Sequence, residues 1–298
     1  MKRFSKVTAL LLAAVFLISG CSSGDVPEPV SFSPETEEAT MPYLDPLPAQ
    51  IGEEETAAET DAAETTAAEP ETTTAQSTPD EGKFVALTFD DGPDMRYTSS
   101  TSRILDTLEK YGAHATFFIQ AIQLTSDVTA NKDTGESFAT RNKRILKRAS
   151  DMGMEIGTHT YDHPQLTAIS MDEVRSQMSR SCELIESVTG REVKICRPPY
   201  GDVNEEILNE FDMPFIIWDV DSRDWDHKDP DKAYEIVMNE VENGSIILMH
   251  DIYNTTADAV EMIVPDLIER GYTICSVSEL FAHLGKPLES HHKYNSAK

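Results

Sequence analysis

The chain has 298 residues, with 25 Lys and Arg against 53 Asp and Glu, and a formal net charge of −28. A surface so acidic repels polyanions, which excludes nucleic acid as a partner. Hydrophobic residues make up 39% of the chain, enough for one sizeable core, but the acids are not evenly spread and the first quarter is not domain material.

Lys2, Arg3 and Lys6 precede an apolar run from Val7 to Ile18, followed by Ser19-Gly20-Cys21. A basic start, a short apolar stretch and small residues are the pattern of a secretory signal, and the run is too short to span a bilayer. Residues 1–20 are therefore expected as a signal peptide. Leu17-Ile18-Ser19-Gly20-Cys21 resembles the bacterial lipobox, which implies lipidation of Cys21 and attachment to the outer face of the cell membrane. The alternative is ordinary secretion with a coincidental cysteine. Between Ser22 and Gly82 lie sixteen acids and no base, in runs such as Glu53-Glu54-Glu55-Thr56-Ala57-Ala58. Such a segment cannot bury enough apolar surface to offset its ordering entropy, so residues 21–82 are expected as a disordered linker. About sixty residues of flexible chain reach roughly 40–45 Å. The chain after this linker still carries −15, so the folded part is acidic in its own right.

From Lys83 onward, short apolar runs alternate with helical patterns. The predicted strands are 84–89, 115–119, 154–157, 193–197, 215–220, 245–249 and 272–277. The predicted helices include 101–111, 142–152, 172–188, 234–241 and 256–270. Continuous apolar strands separated by helices imply a parallel sheet with both faces covered. Periodicity alone leaves an open doubly wound sheet and a (β/α) barrel equally open. The polar residues separate them. Asp90-Asp91 ends the first strand, His159 and His163 follow the third, and Arg197 and Tyr200 close the fourth. Asp221 to Trp225 follows the fifth, and His250-Asp251 ends the sixth. Strand ends converge on one face in a barrel and diverge in an open sheet, so a barrel is predicted. The folded domain is expected at 83–284, with 285–298 as a C-terminal tail. Cys182, Cys196 and Cys275 are odd in number and lack CxxC spacing, which reads as buried thiols rather than a disulfide framework or thiolate site.

Each motif also has a plainer reading. His159 and His163 are four apart, but Thr160 between them and Pro164 after them exclude the helical His-Glu-x-x-His pair. Asp90-Asp91 before Gly92-Pro93 serves equally to end a strand in a turn. Two adjacent carboxylates in a turn diverge, however, so one can ligate a metal while the other acts as a base. Two His and one carboxylate leave an open position on Zn²⁺ for water. His250 could simply cap an apolar strand, and Arg197 could be a structural ion-pair partner.

Five motifs in order resemble the NodB-type polysaccharide deacetylases, carbohydrate esterase family four. They are Thr88-Phe89-Asp90-Asp91-Gly92-Pro93, His159-Thr160-Tyr161-Asp162-His163, Arg197-Pro198-Pro199-Tyr200-Gly201, Asp221-Ser222-Arg223-Asp224-Trp225 and Leu248-Met249-His250. The resemblance covers Lys83 to Leu284 and implies a distorted (β/α) barrel of about seven strands. It implies Asp91, His159 and His163 as ligands of a divalent metal, with Zn²⁺ expected. It further implies Asp90 as general base oriented by Arg197, and His250 as general acid tuned by Asp224. Trp225 and Leu248 would wall the acetyl pocket, and the Tyr200 N–H would face the oxyanion. Two departures stand out: the long polar connection 121–141, read either as a rim of the substrate groove or as a surface loop, and Cys196 where the family often has an aromatic residue.

The activity so implied is hydrolysis of N-acetyl groups on a cell-wall polysaccharide, with N-acetylglucosamine of peptidoglycan the expected substrate and acetate the product. The expected partners are that polymer and, through Cys21, the membrane, with the protein itself a monomer. Chitin oligomers, xylan and exopolysaccharide are the competing substrates. A non-catalytic carbohydrate-binding lipoprotein is the competing class; it predicts loss of Asp90 or His250, and both are present.

Overall fold

The computed structural model describes residues 82–93, 99–128 and 135–298. The expected signal peptide, Cys21 and the linker up to residue 81 lie outside the described residues, as do 129–134 within the 121–141 connection. Among the described residues no helix is long and apolar enough to cross a membrane.

The fold is organised on β1 (Lys83–Asp90), whose last seven residues are all buried. A strand apolar on both faces is stable only with neighbours on both edges and cover on both sides. β2 (Thr116–Ile119) pairs with Thr88–Asp90, and β7 (Tyr272–Cys275) takes the other half, Lys83–Ala86. β6 (Ile246–His250) pairs with Ala86–Asp90. β3 (Glu155–Thr158) extends the sheet beyond β2, and β5 (Val220–Asp221) extends it beyond β6, every pairing parallel.

Closure into a distorted barrel falls to the two least regular segments. The predicted strand at 193–197 shrinks to bridges at Cys196, which joins Thr158 on one side and Phe215 on the other. The predicted strand at 215–220 divides into β4 (Phe215–Ile216) and β5. Ile216 N–H donates to the Cys196 carbonyl at 2.8 Å, while Asp219 N–H and Ser222 N–H donate to Ile246 and Leu248 at 3.2 Å. One chain run thus bonds to both sides of the barrel, and it must bend between them. At the bend the Asp219 carboxylate takes the Ile246 N–H at 2.7 Å, replacing a ladder bond with a side-chain bond.

Helices α1 (Ser100–Tyr111), α2 (Phe138–Asp151), α3 (Met171–Thr189), α6 (Pro230–Glu240) and α7 (Asn254–Glu269) cover the sheet. α1 turns Ile104, Leu105 and Leu108 inward and stops at Gly112, whose φ of 61° suits a residue without Cβ. α6 starts earlier than its apolar pattern because Asp229 caps it ahead of Pro230. Three short helices carry too little periodicity to be read from sequence: α4 (Glu205–Glu210), α5 (Asp224–His227) and α8 (Val277–His283).

The segment expected as a tail returns to the barrel. β8 (Lys293–Tyr294) pairs with β4, the Tyr294 ring meets Phe281 edge-on at 4.9 Å, and Ala297 is buried. Two residues of strand lie below any period-2 signal. Cys182, Cys196 and Cys275 are all free, but only Cys196 and Cys275 are buried as expected, while Cys182 is half-buried; burial pushes the Cys182 and Cys275 thiols up to about 12.

Candidate active site

β1 delivers Asp90 and Asp91 to the C-terminal rim, and the chain then adopts the left-handed region at Asp91, with φ 74°. Asp tolerates that region better than most residues, though at a cost. The loop after β3 does the same twice, at Thr160 (φ 68°) and His163 (φ 67°). Side chains fix it in place. Thr158 Oγ1 accepts from Thr160 N–H and Thr160 Oγ1 from His163 N–H, both at 3.1 Å. Gln177 of α3 accepts from Tyr161 N–H and Asp162 N–H at 3.1 Å and donates to the Asp162 carboxylate at 2.7 Å. The 3-10 turn Ala121–Leu124 adds main-chain bonds from Ala121 and Ile122 to the Thr160 and Tyr161 carbonyls. The long connection thus begins by bracing the histidine loop.

Asp91, His159 and His163 present ligand atoms that all lie within 4.8 Å of one another. Asp91 Oδ1 is 3.7 Å from Nε2 of both histidines, and it is buried with no hydrogen-bond partner among the described residues. A buried carboxylate oxygen left unpaired is costly, and a cation relieves it. His159 Nδ1–H donates to the Arg197 carbonyl at 2.7 Å, which leaves Nε2 as the lone-pair nitrogen facing Asp91. Burial pushes His159 down to about 3 against the pull of Asp91, so this imidazole is neutral, as a ligand must be. The three residues fit a divalent metal.

Beside them Asp90 is buried, with Oδ1 held by Arg197 Nη1 at 2.8 Å and Oδ2 3.7 Å from His159 Nε2. Arg197 is itself fully buried and spends its other donors on Thr88 Oγ1 (2.7 Å) and the carbonyls of Ile216 (3.1 Å) and Ile217 (2.8 Å). Burial raises the Asp90 carboxyl from its ordinary value, and Arg197, His250 and His163 pull it back.

On the opposite side, Asp224 is buried at the start of α5 and holds His250. Its Oδ1 lies 2.9 Å from His250 Nδ1, and its Oδ2 accepts from His250 N–H at 2.7 Å and Thr256 Oγ1 at 2.6 Å. Burial alone would lower His250, but the Asp224 bond and charge, with Asp90 and Asp91 beyond, lift it to about 9. The ring is therefore protonated near neutral pH, with Nε2 pointing away from Asp224.

A cleft of about 360 Å³ joins these parts. Of the residues predicted from sequence, Asp90, Asp91, His159, His163, Tyr200, Trp225, Leu248 and His250 line it, and Arg197 and Asp224 lie buried behind it. Cys21 lies outside the described residues. Tyr200 sits at φ 61°, with its ring exposed and edge-on to His163 at 4.8 Å. Pro198 and Pro199 before it carry no N–H, so its own is the first main-chain donor after Arg197. Trp218, Tyr253 and Thr256 escaped sequence reading. Trp218 lies inside a strand-like run, Tyr253 is a lone aromatic beyond the fifth motif, and Thr256 is one hydroxyl in a helix start. Only the adjacency of Tyr253 to His250 offered a signal.

A carboxylate–dihistidine cluster on the C-terminal rim of a parallel barrel, flanked by a buried Asp–Arg pair and an Asp–His pair, makes a candidate metal centre with a carboxylate and an imidazole placed for proton transfer. Residues 77–215 match the family model for polysaccharide deacetylases. Over 198 residues the chain is 38% identical to the peptidoglycan-N-acetylmuramic acid deacetylase PdaC of Bacillus subtilis (strain 168), covering 66% of this chain and 38% of that one. It is 33% identical over 204 residues to a peptidoglycan-N-acetylglucosamine deacetylase of Bacillus cereus, covering 66% of this chain and 68% of that one. A solved structure described as T48 deacetylase with substrate superposes with a TM-score of 0.63 at 36% identity, covering 72% of this chain and 97% of that chain. The chain belongs to the polysaccharide deacetylase family, while its match spans about two fifths of PdaC.

Asp91→Gly tests the cluster without the strain that another residue would suffer at φ 74°. The variant should keep its circular dichroism and lose bound divalent metal by elemental analysis; full metal content in the folded variant would remove Asp91 from the ligand set.

Proposed function

We propose that this protein hydrolyses N-acetyl groups on a cell-wall polysaccharide, with N-acetylglucosamine of peptidoglycan as the substrate and acetate as the product. The observation that carries this reading is the pair of polar dyads, Asp90–Arg197 and Asp224–His250, facing each other across the Asp91–His159–His163 cluster in one cleft. An acetamide is a poor electrophile with a poor leaving group, so its hydrolysis needs a base for water, a home for the oxyanion and an acid for the amine. All three functions have residues here.

Two imidazoles and one carboxylate are the ligand set of hydrolytic zinc, which makes Zn²⁺ the proposed metal. When bound, such a cation supplies the positive charge that polarises the carbonyl and acidifies water. Asp90 takes the proton of the attacking water through Oδ2, since Arg197 occupies Oδ1. The Tyr200 N–H stabilises the oxyanion of the tetrahedral centre. His250 then protonates the departing amine from Nε2, because Asp224 holds Nδ1. Trp225 and Leu248 enclose the acetyl methyl.

The two peptidoglycan deacetylases support the polymer, although they are named for different sugars. The lipobox resemblance supports attachment through Cys21 to the outer face of the cell membrane, with the acidic linker giving reach toward the wall. Chitin oligomers, acetylated xylan and exopolysaccharide remain the competing substrates.

Purified protein should release acetate from peptidoglycan faster than from chitin oligomers or acetylated xylan, with mass spectrometry placing the free amine on glucosamine. Asp90→Asn should keep its metal and lose about 10²–10⁴-fold in turnover. Preference for another polymer would overturn the substrate. A general acid acts only while protonated, so kcat/KM should fall as pH rises through the His250 pKa. Asp224→Asn removes what lifts that pKa, so the alkaline limb should move to lower pH; an unmoved limb would separate the limb from His250. For the anchor, Cys21→Ser should shift the protein from membrane to medium in fractionation, and an unlabelled wild-type chain after feeding with a lipid precursor would rule it out.

A further inference from the structure

The residue after His250 has no part in the chemistry above. Asp251 is 1% exposed, yet it is a carboxylate at the mouth of the barrel. Its Oδ2 accepts from Thr101 Oγ1 at 2.8 Å, and its main-chain carbonyl accepts from Thr101 Oγ1 at 3.1 Å and from Ser100 Oγ. These bonds tie the end of β6 to the first turn of α1. Oδ1 has no hydrogen-bond partner among the described residues.

The carboxylate lies against the residue that follows Asp91. A Cβ built on Gly92 would fall 2.1 Å from Asp251 Oδ2 and 2.2 Å from Oδ1. Gly92 does not have positive φ, so its backbone does not demand glycine. What excludes a side chain there is the Asp251 carboxylate, which fills the space that a Cβ would take. Asp91 next door is in the left-handed region, a conformation that persists only where its surroundings over-determine it. Burial and the Thr101 bond hold the carboxylate still, and the carboxylate in turn backs the turn.

We propose that Asp251 is a positioning residue for the metal-binding turn: its buried carboxylate, seated against Gly92 and anchored by Thr101, keeps Asp91 directed at His159 and His163. The role rests on Asp91 as a ligand and acts through metal affinity rather than through the reaction itself.

The test is Zn²⁺ affinity of the metal-free, folded protein, by competition with a chromophoric chelator. Asp251→Ala should weaken binding by about 10–100-fold, the range for supports of metal ligands. Its kcat at saturating Zn²⁺ should stay close to wild type. Asp251→Asn keeps the shape and the acceptor for Thr101, and should retain most of the affinity. Gly92→Ala alone should weaken binding severely, because the new Cβ meets the carboxylate. In the Gly92→Ala/Asp251→Ala double variant that clash is gone, so binding should be no weaker than in Asp251→Ala alone. Unchanged affinity in Asp251→Ala, an equal loss in Asp251→Asn, or additive losses in the double variant would each overturn the proposal. If Asp251→Ala does not fold, Thr101→Val removes the anchoring bond to Oδ2 and should still weaken Zn²⁺ binding, and unchanged affinity there would overturn it equally. Retained Zn²⁺ binding in Asp91→Gly is a different failure, since it would remove the ligand reading itself.

Discussion

Everything at the barrel mouth depends on one buried guanidinium. Arg197 sits where a fourth strand would run, and in place of a ladder it joins Asp90 and Thr88 of β1 to the carbonyls of Ile216 and Ile217. Its plane also rests 4.3 Å from the centre of the Phe118 ring. A charge moved into a protein interior is strongly destabilising unless paired and hydrogen-bonded, and removing one partner of such a pair costs about 3–5 kcal/mol. Swapping the pair for well-packed apolar residues is often neutral, so stability does not explain its presence. Geometry does. The same side chain closes the irregular side of the barrel and fixes the carboxylate that faces the histidines.

Backbone strain is concentrated on the same rim. Asp91, Thr160, His163, Tyr200 and Arg223 all have positive φ without being glycine, and each lies within one of the five motifs. Such residues cost on the order of 1–3 kcal/mol each and survive only when neighbours leave no alternative. The neighbours here are specific: Gln177 under the histidine loop, Thr158 and Thr160 within it, Asp251 behind Gly92, and Asp221 accepting from Arg223 N–H at 2.9 Å. β1, buried over its last seven residues, gives these supports a fixed reference. Strain and chemistry therefore occupy the same few residues, and the core below tolerates the cost.

Electrostatics divides the cleft. On one side Asp90 and Asp91 lie with neutral His159, a combination that favours a cation. On the other, Asp224 holds His250 in its protonated form. A proton acceptor and a proton donor are thereby kept apart within one cleft, the arrangement that the proposed amide hydrolysis needs.

Local pattern was enough to reveal the parallel strands and covering helices, because burial of β1, β6 and their helices repeats at periods that a sequence displays. The motifs likewise showed which side chains carry chemistry, since Asp, His and Arg at the ends of apolar runs are conspicuous whatever the fold. Tertiary structure alone decided how the barrel closes. Residues 215–221 bend because they must bond to Cys196 on one side and to β6 on the other, and no period records that double demand. It also decided that Thr256 supports Asp224 from 32 residues away and that Asp251 occupies the place of a side chain on Gly92. Periodicity reports which face of an element is buried. It carries no record of what lies against that face, whether the neighbour is 32 residues away, as Thr256 is from Asp224, or much farther, as Asp251 is from Gly92.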